Sequence, residues 1–136
     1  MSEFVATNVF IRLLTRDDAG KMQRCLALFW RAERGEVHLV TSESVVAEVV
    51  NVLSSPALYR LPRTEVARLV RPLLEVKGLG IDHKRSVLNA LDLYAKSNLD
   101  FEDCLSVEHV RRAGLPGIYS YDRGLDRIAS VKRLEP

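Results

Sequence analysis

The sequence predicts an α/β fold with a central parallel β-sheet of four to five strands, flanked by helices on both faces. Short apolar runs alternate along the chain with longer segments in which apolar residues recur at helical spacing. The segments between the runs are long enough for helical crossovers, which connect parallel strands. With 136 residues, of which 47% are hydrophobic, the chain fits one such domain, and we expect it to span residues 1–136.

The first apolar run predicts a strand that opens at 4–5 and leads directly into helices. Thr7 or Asn8 is expected to cap a short helix over 9–14, because both side chains can accept a hydrogen bond from the first turn. A second helix follows, with consecutive aspartates at its start and Gly35 after its end.

The next elements repeat the order of strand and helix. Residues 37–40 predict a strand, and Thr41 and Ser42 are caps for a helix from about Glu43 to Leu53, which a proline at 56 stops. A further helix begins at a proline at 62 and ends at a glycine at 78.

The second half of the chain predicts three more short strands, at 79–81, 117–120 and 131–134. Between the first two of these strands, aspartates at 82 and 100 cap two helices, the second of which runs to a glycine at 114. A short helical turn is expected at 124–128.

Glu48 is the first residue whose chemistry suggests a function. It lies among five valines of the third predicted helix and shares a face with Val45 and Val52. An ionised carboxylate on such a face is costly unless it is paired or binds a metal. The alternative is that Glu48 sits at the edge of the apolar stripe and reaches water.

Four further aspartates fall where an α/β fold places its functional residues. Asp100 is a good N-cap, while Asp103 falls in the first turn of the same helix, before core-like valines. Asp122 follows a predicted strand, with Asp126 four residues later. Read singly, Asp122 is a turn or N-cap residue and Asp126 a surface partner of Arg123 or Arg127.

Taken together, Glu48, Asp103 and Asp122 are expected to converge at one end of the sheet and to hold a divalent metal. Clustered carboxylates repel one another, and a hard cation that prefers oxygen relieves the repulsion. Mg²⁺ or Mn²⁺ is the expected ion.

Composition limits the other classes of function. Cys25 and Cys104 form no C-x-x-C pair, which argues against a zinc site and a disulfide framework and favours a cytoplasmic location. No apolar run approaches a membrane span, and the first residues do not resemble a signal peptide. A net charge of +2 is compatible with a nucleic-acid partner without requiring one.

Four segments together resemble the PIN-domain ribonucleases, and among them the VapC-like toxins of toxin–antitoxin pairs. They cover most of the chain and lie at residues 4–14 (FVATNVFIRLL), 44–50 (SVVAEVV), 100–105 (DFEDCL) and 119–126 (YSYDRGLD). The resemblance implies a metal-dependent endoribonuclease that hydrolyses RNA phosphodiester bonds. It also implies a small antitoxin as partner and assembly as a homodimer or a toxin–antitoxin complex.

The resemblance also implies roles for individual residues. The metal ligands carry over onto Glu48, Asp103 and Asp122, with Asp126 or Asp100 as lesser contributors. The residues expected to orient ligands or waters are Thr7, Asn8 and Ser120.

RNA also needs positive charge around an acidic centre. Arg12 and Arg16 lie in or just after the first segment and Arg123 and Arg127 in or just after the fourth, so both pairs could flank the site, and Arg12 and Arg123 are the two expected to bind RNA. The alternative for each is a solvated arginine.

Ala6 is the main departure from the family's pattern. The family's opening motif reads Asp-Thr-Asn, and its aspartate is a central metal ligand, whereas this chain reads Ala6-Thr7-Asn8. Alanine has no oxygen to offer a cation, so we expect impaired metal binding and activity. Two explanations remain open: a deliberate substitution that disarms a toxic nuclease, or a naturally degenerate member that binds without cutting.

Two rival functions are weighed against the ribonuclease. A non-catalytic PIN-like module that binds RNA or an antitoxin would keep the fold and lose the chemistry. A small signalling or phosphotransfer domain would need an aspartate at the end of the first strand and a well-placed lysine, and the sequence supplies neither.

Overall fold

A computed structural model describes residues 2–136 of the protein. Its backbone divides into two units, one up to Lys84 and the other from Arg85 to Pro136. Each unit has its own sheet, so the two are taken in turn.

The first unit is built on a three-stranded parallel sheet. Its strands are β1 (Ser2–Phe4), β2 (His38–Thr41) and β3 (Leu79–Ile81), and they lie in the order β1-β2-β3. Just beyond β1, the Val5 amide donates to the carbonyl of Val40 at 2.8 Å. The Thr41 hydroxyl donates back to the carbonyl of Val5 at 2.9 Å. These bonds fix where the chain leaves the sheet, directly before Ala6.

The helices of the first unit form the crossovers between its parallel strands. They are α1 (Thr7–Leu14), α2 (Ala19–Glu33), α3 (Glu43–Ser54) and α4 (Arg63–Leu74). Asp18 caps α2 by accepting from the amide of Lys21, and Ser42 caps α3 by accepting from the amide of Val45. The sequence places two aspartates at the start of α2 and offers Thr41 and Ser42 as caps of α3, and in the structure the second residue of each pair is the cap.

The core of the first unit is aliphatic with one aromatic pair. The rings of Phe10 and Phe29 meet edge to face with their centroids 5.5 Å apart, and both side chains are buried. Their aliphatic neighbours in the core of this unit include Val46, Val50, Leu53, Val66, Val70 and Leu74.

The second unit combines two helices with a two-stranded parallel sheet. The helices are α5 (Lys84–Lys96), which begins at the boundary between the units, and α6 (Phe101–Ala113). The strands β4 (Gly117–Tyr119) and β5 (Lys132–Leu134) pair in parallel, and a short 3-10 helix at Arg123–Arg127 lies in their connection.

One acid of the second unit is buried and serves its packing. Glu108, on α6, is 4% exposed, and its carboxylate accepts from Arg111 at 2.6 Å and from Asn89 at 3.1 Å. Paired in this way, the charge is tolerated in the interior. The sequence gives Glu108 no such prominence, because its partners only become visible once α5 and α6 are placed.

The α/β class with parallel β-structure that the sequence predicts is confirmed, although the larger sheet has three strands, a little fewer than the four to five expected. The five strands found in residues 2–136 divide into a three-stranded and a two-stranded sheet. The reason is that β4 takes β5 as its partner. The fourth predicted helix also ends earlier, at Leu74 rather than before Gly78.

Within residues 2–136, no helix is both long enough and apolar enough to cross a membrane.

Candidate metal centre

Glu48 and the residues at the start of α1 form one group of candidate ligands, called here the Glu48 group (Ala6, Thr7 and Glu48). The hydroxyl of Thr7 donates to Oε2 of Glu48 at 3.0 Å. This contact places the Glu48 carboxylate beside the carboxyl end of β1, where Ala6 lies. Thr7 holds one carboxylate oxygen and so fixes the direction of the other.

The N-cap of α1 is Ala6, not Thr7 or Asn8 as predicted. Ala6 has the extended backbone of a cap (φ −86°, ψ 167°), and its side chain makes no capping hydrogen bond. The helix begins at Thr7, two residues earlier than the expected start at Val9, because the chain turns out of the sheet directly after Val5. Thr7 and Asn8 are therefore the first two residues of the helix.

Glu48 reaches water, so the argument from a buried, unpaired carboxylate does not hold. Glu48 is exposed, although Ala47 and Val49 on either side of it are buried. The helix α3 therefore presents Glu48 at the edge of its apolar stripe, as the alternative interpretation had it. The contact with Thr7, and not burial, singles out this carboxylate.

Three acids of the second unit form a second group, called here the Asp103 group (Asp100, Asp103 and Asp122). Asp100 caps α6, and its Oδ1 accepts from the amide of Asp103 at 2.8 Å, as predicted. The carboxyl groups of Asp103 and Asp122 lie close enough to share a proton. Partial burial, the neighbouring carboxyl group of Asp122 and the nearby charge of Asp100 together raise the pKa of Asp103 to about 6.

Asp122 is held in place by its own loop. Its amide donates to the hydroxyl of Ser120 at 3.0 Å, and its Oδ1 accepts from the amide of Gly124 at 2.8 Å. A Cβ at Gly124 would lie 3.0 Å from that same Oδ1, so this position leaves little room for a side chain. Ser120 therefore contacts the backbone of Asp122 and orients it from there.

Asp126 is engaged elsewhere. Its carboxylate accepts from Nε of Arg133 at 2.8 Å, and this guanidinium lowers the pKa of Asp126. The expected surface partner, Arg123 or Arg127, is thus corrected to Arg133. The metal role predicted for Asp126 stays a prediction, and it would require this ion pair to open.

The donor set suits a hard divalent cation. Two carboxyl groups that share a proton bind a cation in its place and so lose their mutual repulsion. Across residues 2–136, however, no three His, Cys, Asp or Glu side chains lie close enough together to hold a metal ion. What fits a hard divalent cation is therefore the type of ligand atom, because the candidate ligands offer oxygen and no thiol or imidazole.

Asp103→Asn is expected to stabilise the metal-free protein at neutral pH. The folded-state pKa of Asp103 lies above its ordinary value of 3.8, so the stability associated with this group is complete below about pH 4 and falls as the pH rises through about 6. Discounted for solvent, the gain for the variant at pH 7 is about 1 kcal/mol. Urea unfolding in EDTA at pH 4 and pH 7 measures it.

The matched control for that measurement is Glu102→Gln. Glu102 is exposed and lies in the same first turn of α6. Its charge contributes less to the raised pKa of Asp103 than burial, Asp122 or Asp100 does. We expect its removal to change the stability by less than about 0.5 kcal/mol. If the two variants change the free energy of unfolding equally at both pH values, the carboxyl groups of Asp103 and Asp122 do not destabilise the folded protein.

Cationic side chains line a cleft in each unit. In the first unit, Arg12 and Asn8 line a cleft of about 270 Å³ together with Lys21 and Arg24. In the second, Arg123 and Arg127 line a cleft of about 610 Å³ with Lys96, and Asp122 lies in its wall. Sequence reasoning names Arg12 and Arg123 but misses Lys21, Arg24 and Lys96. No motif in the neighbouring sequence shows that the packing of the helices brings these three cations to a cleft.

The three histidines lie in a strand, a turn and a helix. His38 begins β2, His83 lies in a turn with a positive φ of 55°, and His109 is on α6. Each one is exposed.

Comparison with known proteins adds the family. The PIN domain family matches residues 4–131. A search of curated proteins finds no match for this chain. PIN domains have a nuclease-type fold, are generally metal-dependent nucleases, commonly ribonucleases, and typically use divalent metal ions. Since the match covers nearly the whole sequence, the chain belongs to the PIN domain family.

Proposed function

We propose that the protein is an endoribonuclease dependent on Mg²⁺ or Mn²⁺, the toxin of a VapC-like toxin–antitoxin pair, and impaired by Ala6. The observation that carries the proposal is the close pair of carboxyl groups of Asp103 and Asp122 in a chain of the PIN domain family. Without a metal ion, two such carboxyl groups repel each other when both are ionised, and a bound cation removes this repulsion. Cys25 and Cys104 form no disulfide, which is compatible with the cytoplasmic location that goes with this proposal.

The proposed metal ligands are Glu48, Asp103 and Asp122. The family match includes residues of both units, so we propose that residues 1–136 act as one domain and that catalysis needs both groups of acids. When bound, a divalent ion lowers the pKa of water and stabilises negative charge on a phosphodiester. The protein's own contribution is to aim the carboxylates: Thr7 orients Glu48, and the amide of Gly124 holds Asp122.

The proposed RNA contacts begin with Arg12 and Arg123. Lys21 and Arg24 lie in the same cleft as Arg12, and none of these three cations forms an ion pair within the described part of the chain. Unpaired cations beside acidic groups are what a polyanionic substrate needs in order to approach an acidic centre.

The experiment that tests the function is cleavage of a labelled single-stranded RNA by the Ala6→Asp variant. We expect cleavage that requires Mg²⁺ or Mn²⁺, stops with EDTA, and is lost when Glu48→Gln or Asp122→Asn is added. Arg31→Ala, an exposed residue of α2 that lines neither cationic cleft, is the control that keeps activity. If the restored protein cuts no RNA in either metal, the ribonuclease proposal is wrong.

The second candidate function is a non-catalytic PIN-like module that binds RNA or an antitoxin. Ala6 favours it, because position 6 offers no side-chain oxygen to a metal ion. RNA that binds with the same affinity with and without metal, and is never cut by the Ala6→Asp variant, would support this candidate.

A small antitoxin is the proposed partner. Its proposed docking site is an apolar cleft of about 340 Å³ in the first unit, lined by Leu13, Leu26, Trp30 and Leu73 among others. Trp30 is 55% exposed there, and an exposed apolar surface of this kind supports the proposal of a docking site. The same surface is proposed for a homodimer if no antitoxin is bound.

Trp30→Glu is expected to release the partner when the protein is purified from its native cell. The carboxylate of the new glutamate would be buried against apolar side chains without an ion partner, so we expect the affinity for the partner to fall about 100-fold. Leu115→Glu is the matched control, because Leu115 is also exposed but lies outside this cleft. If the unmodified protein, the Trp30→Glu variant and the Leu115→Glu variant are all monomers without a bound partner, the proposal is wrong.

A further inference from the structure

The cleft beside Asp122 has the features of a nucleotide subsite. Its volume of about 610 Å³ lies within the range of about 300–1,000 Å³ that is usual for small-ligand pockets. Its walls come from the C-terminal end of α5, the residues after it and the 3-10 helix. Because Asp122 itself lines the cleft, a ligand bound here would lie directly beside a proposed metal ligand.

The charge of the cleft selects an anion. Lys96, Arg123 and Arg127 supply three cationic groups, against the single carboxylate of Asp122. None of these three cations lies within ion-pair distance of a carboxylate in residues 2–136, although the charge of Arg123 also acts on Asp126. The charges of Lys96 and Arg127 are therefore the ones most available to a ligand. Guanidinium groups bind phosphate through paired N–H donors and also stack on flat rings.

The remaining walls suit a base more than a bare phosphate. Leu93 and Ile128 are half-buried apolar side chains that line the same cleft, together with the polar Ser97 and Asn98. The Ser97 oxygen accepts from the amide of Leu99 at 3.3 Å, which leaves its O–H free to turn toward the cleft. Apolar walls beside polar groups and arginines are the usual surroundings of an unstacked RNA base.

The other clefts lack one or more of these features. One, of about 690 Å³ around Glu33 and Arg34, contains acids as well as cations, and its Arg34 is paired with Glu36. The cleft beside Arg12 is cationic but, at about 270 Å³, less than half as large, with Val9 as its only aliphatic wall. The cleft at Trp30 is apolar and holds only acids among its charged residues.

We infer that the cleft beside Asp122 binds one phosphorylated ribonucleotide unit of the RNA substrate. Lys96, Arg123 and Arg127 hold its phosphate, and Leu93 and Ile128 contact its base. This inference rests on the proposed function for the identity of the substrate, but nucleotide binding itself needs neither metal nor catalysis. Lys96 and Arg127 thereby gain a role in substrate binding.

The test uses adenosine 5′-monophosphate, adenosine and inorganic phosphate as probes of the full chain in EDTA at low salt. We expect the monophosphate to bind at least about tenfold more tightly than adenosine or inorganic phosphate, since it engages both kinds of wall. Arg127→Ala and Lys96→Ala should each weaken its binding about tenfold, which is one charge-assisted contact. The methyl NMR signals of Leu93 and Ile128 should shift on titration, while those of Leu26 stay in place.

Two controls make the outcome decisive. Arg31→Ala and Lys132→Ala remove the same charges at exposed positions outside the cleft and should leave binding unchanged. If the monophosphate binds no more tightly than inorganic phosphate, or if the cleft variants behave like these controls, the inference is wrong. If the monophosphate binds as expected while the Ala6→Asp protein cuts no RNA, the subsite stands and the ribonuclease proposal alone fails.

Discussion

Ala6→Asp is expected to raise metal-dependent RNA cleavage by at least about 100-fold over the unmodified chain. Residues that only support a metal ligand are worth about 10- to 100-fold in metal affinity or activity, so a missing ligand is worth no less. Position 6 is the right place for it, because Thr7 links the start of α1 to the carboxylate of Glu48. Single-turnover cleavage at fixed Mg²⁺ concentration measures the gain.

The same substitution has a second effect that must be separated from the first. Ala6 is the N-cap of α1 and makes no side-chain cap, whereas aspartate and asparagine are among the best N-cap residues. Ala6→Asn should therefore stabilise the metal-free protein by about 1 kcal/mol. Ala6→Asp should stabilise it by less, because its new charge lies near that of Glu48.

Asparagine is thus the matched control for aspartate at this position. With Mg²⁺ added, we expect the melting temperature of the Ala6→Asp protein to rise above that of the Ala6→Asn protein, since only the carboxylate gains from the ion. Cleavage restored equally by both substitutions would show that capping of α1, and not metal binding, is what the chain lacks.

The sequence predicts those parts of the fold that local signals determine. The strand at 79–81 has the predicted bounds, and Asp100 caps the helix that it was expected to cap. Asp18 and Ser42, each one of two neighbouring residues at a predicted helix start, cap α2 and α3. Each cap needs only a side chain and an amide three residues away, which a short stretch of sequence contains.

What the sequence does not predict depends on distant contacts. The N-cap of α1 falls at Ala6 because the Val5 amide bonds to Val40, a strand partner far along the chain. The partition of the strands follows from the pairing of β4 with β5, which no local pattern encodes.

The candidate site shows the same division. The position of Asp122 after a strand is readable from its neighbours, and so is the first-turn position of Asp103. That their carboxyl groups meet, and that Asp126 pairs with Arg133 instead, depends on how the loop and β5 fold back. Residue type and spacing thus suggest ligands, but only the packed structure shows which acids face each other.

Gly78→Ala is expected to destabilise the protein by about 3 kcal/mol or more, the largest stability effect of the substitutions considered. A Cβ at Gly78 would lie 2.3 Å from the carbonyl oxygen of Ala32 and 2.8 Å from its carbonyl carbon. These are backbone atoms at the end of α2, and Ala32 is fully buried, so neither side can move alone. The Gly78 carbonyl also accepts from the amide of Leu39 at 2.7 Å, so a shift would disturb the entry of β3 into the sheet.

Gly20→Ala isolates this close approach from the general effect of adding a methyl group. Gly20 lies in α2, where a Cβ would make only ordinary contacts, at 3.5 Å to Arg24 and 3.6 Å to Asp18. Alanine there should stabilise the protein by up to about 1 kcal/mol, because it favours the helix and restricts the unfolded chain. Urea unfolding of both variants therefore tests opposite signs for one chemical change, and a loss below about 1 kcal/mol at Gly78 would mean that α2 and β3 do not approach as closely as the structure has them.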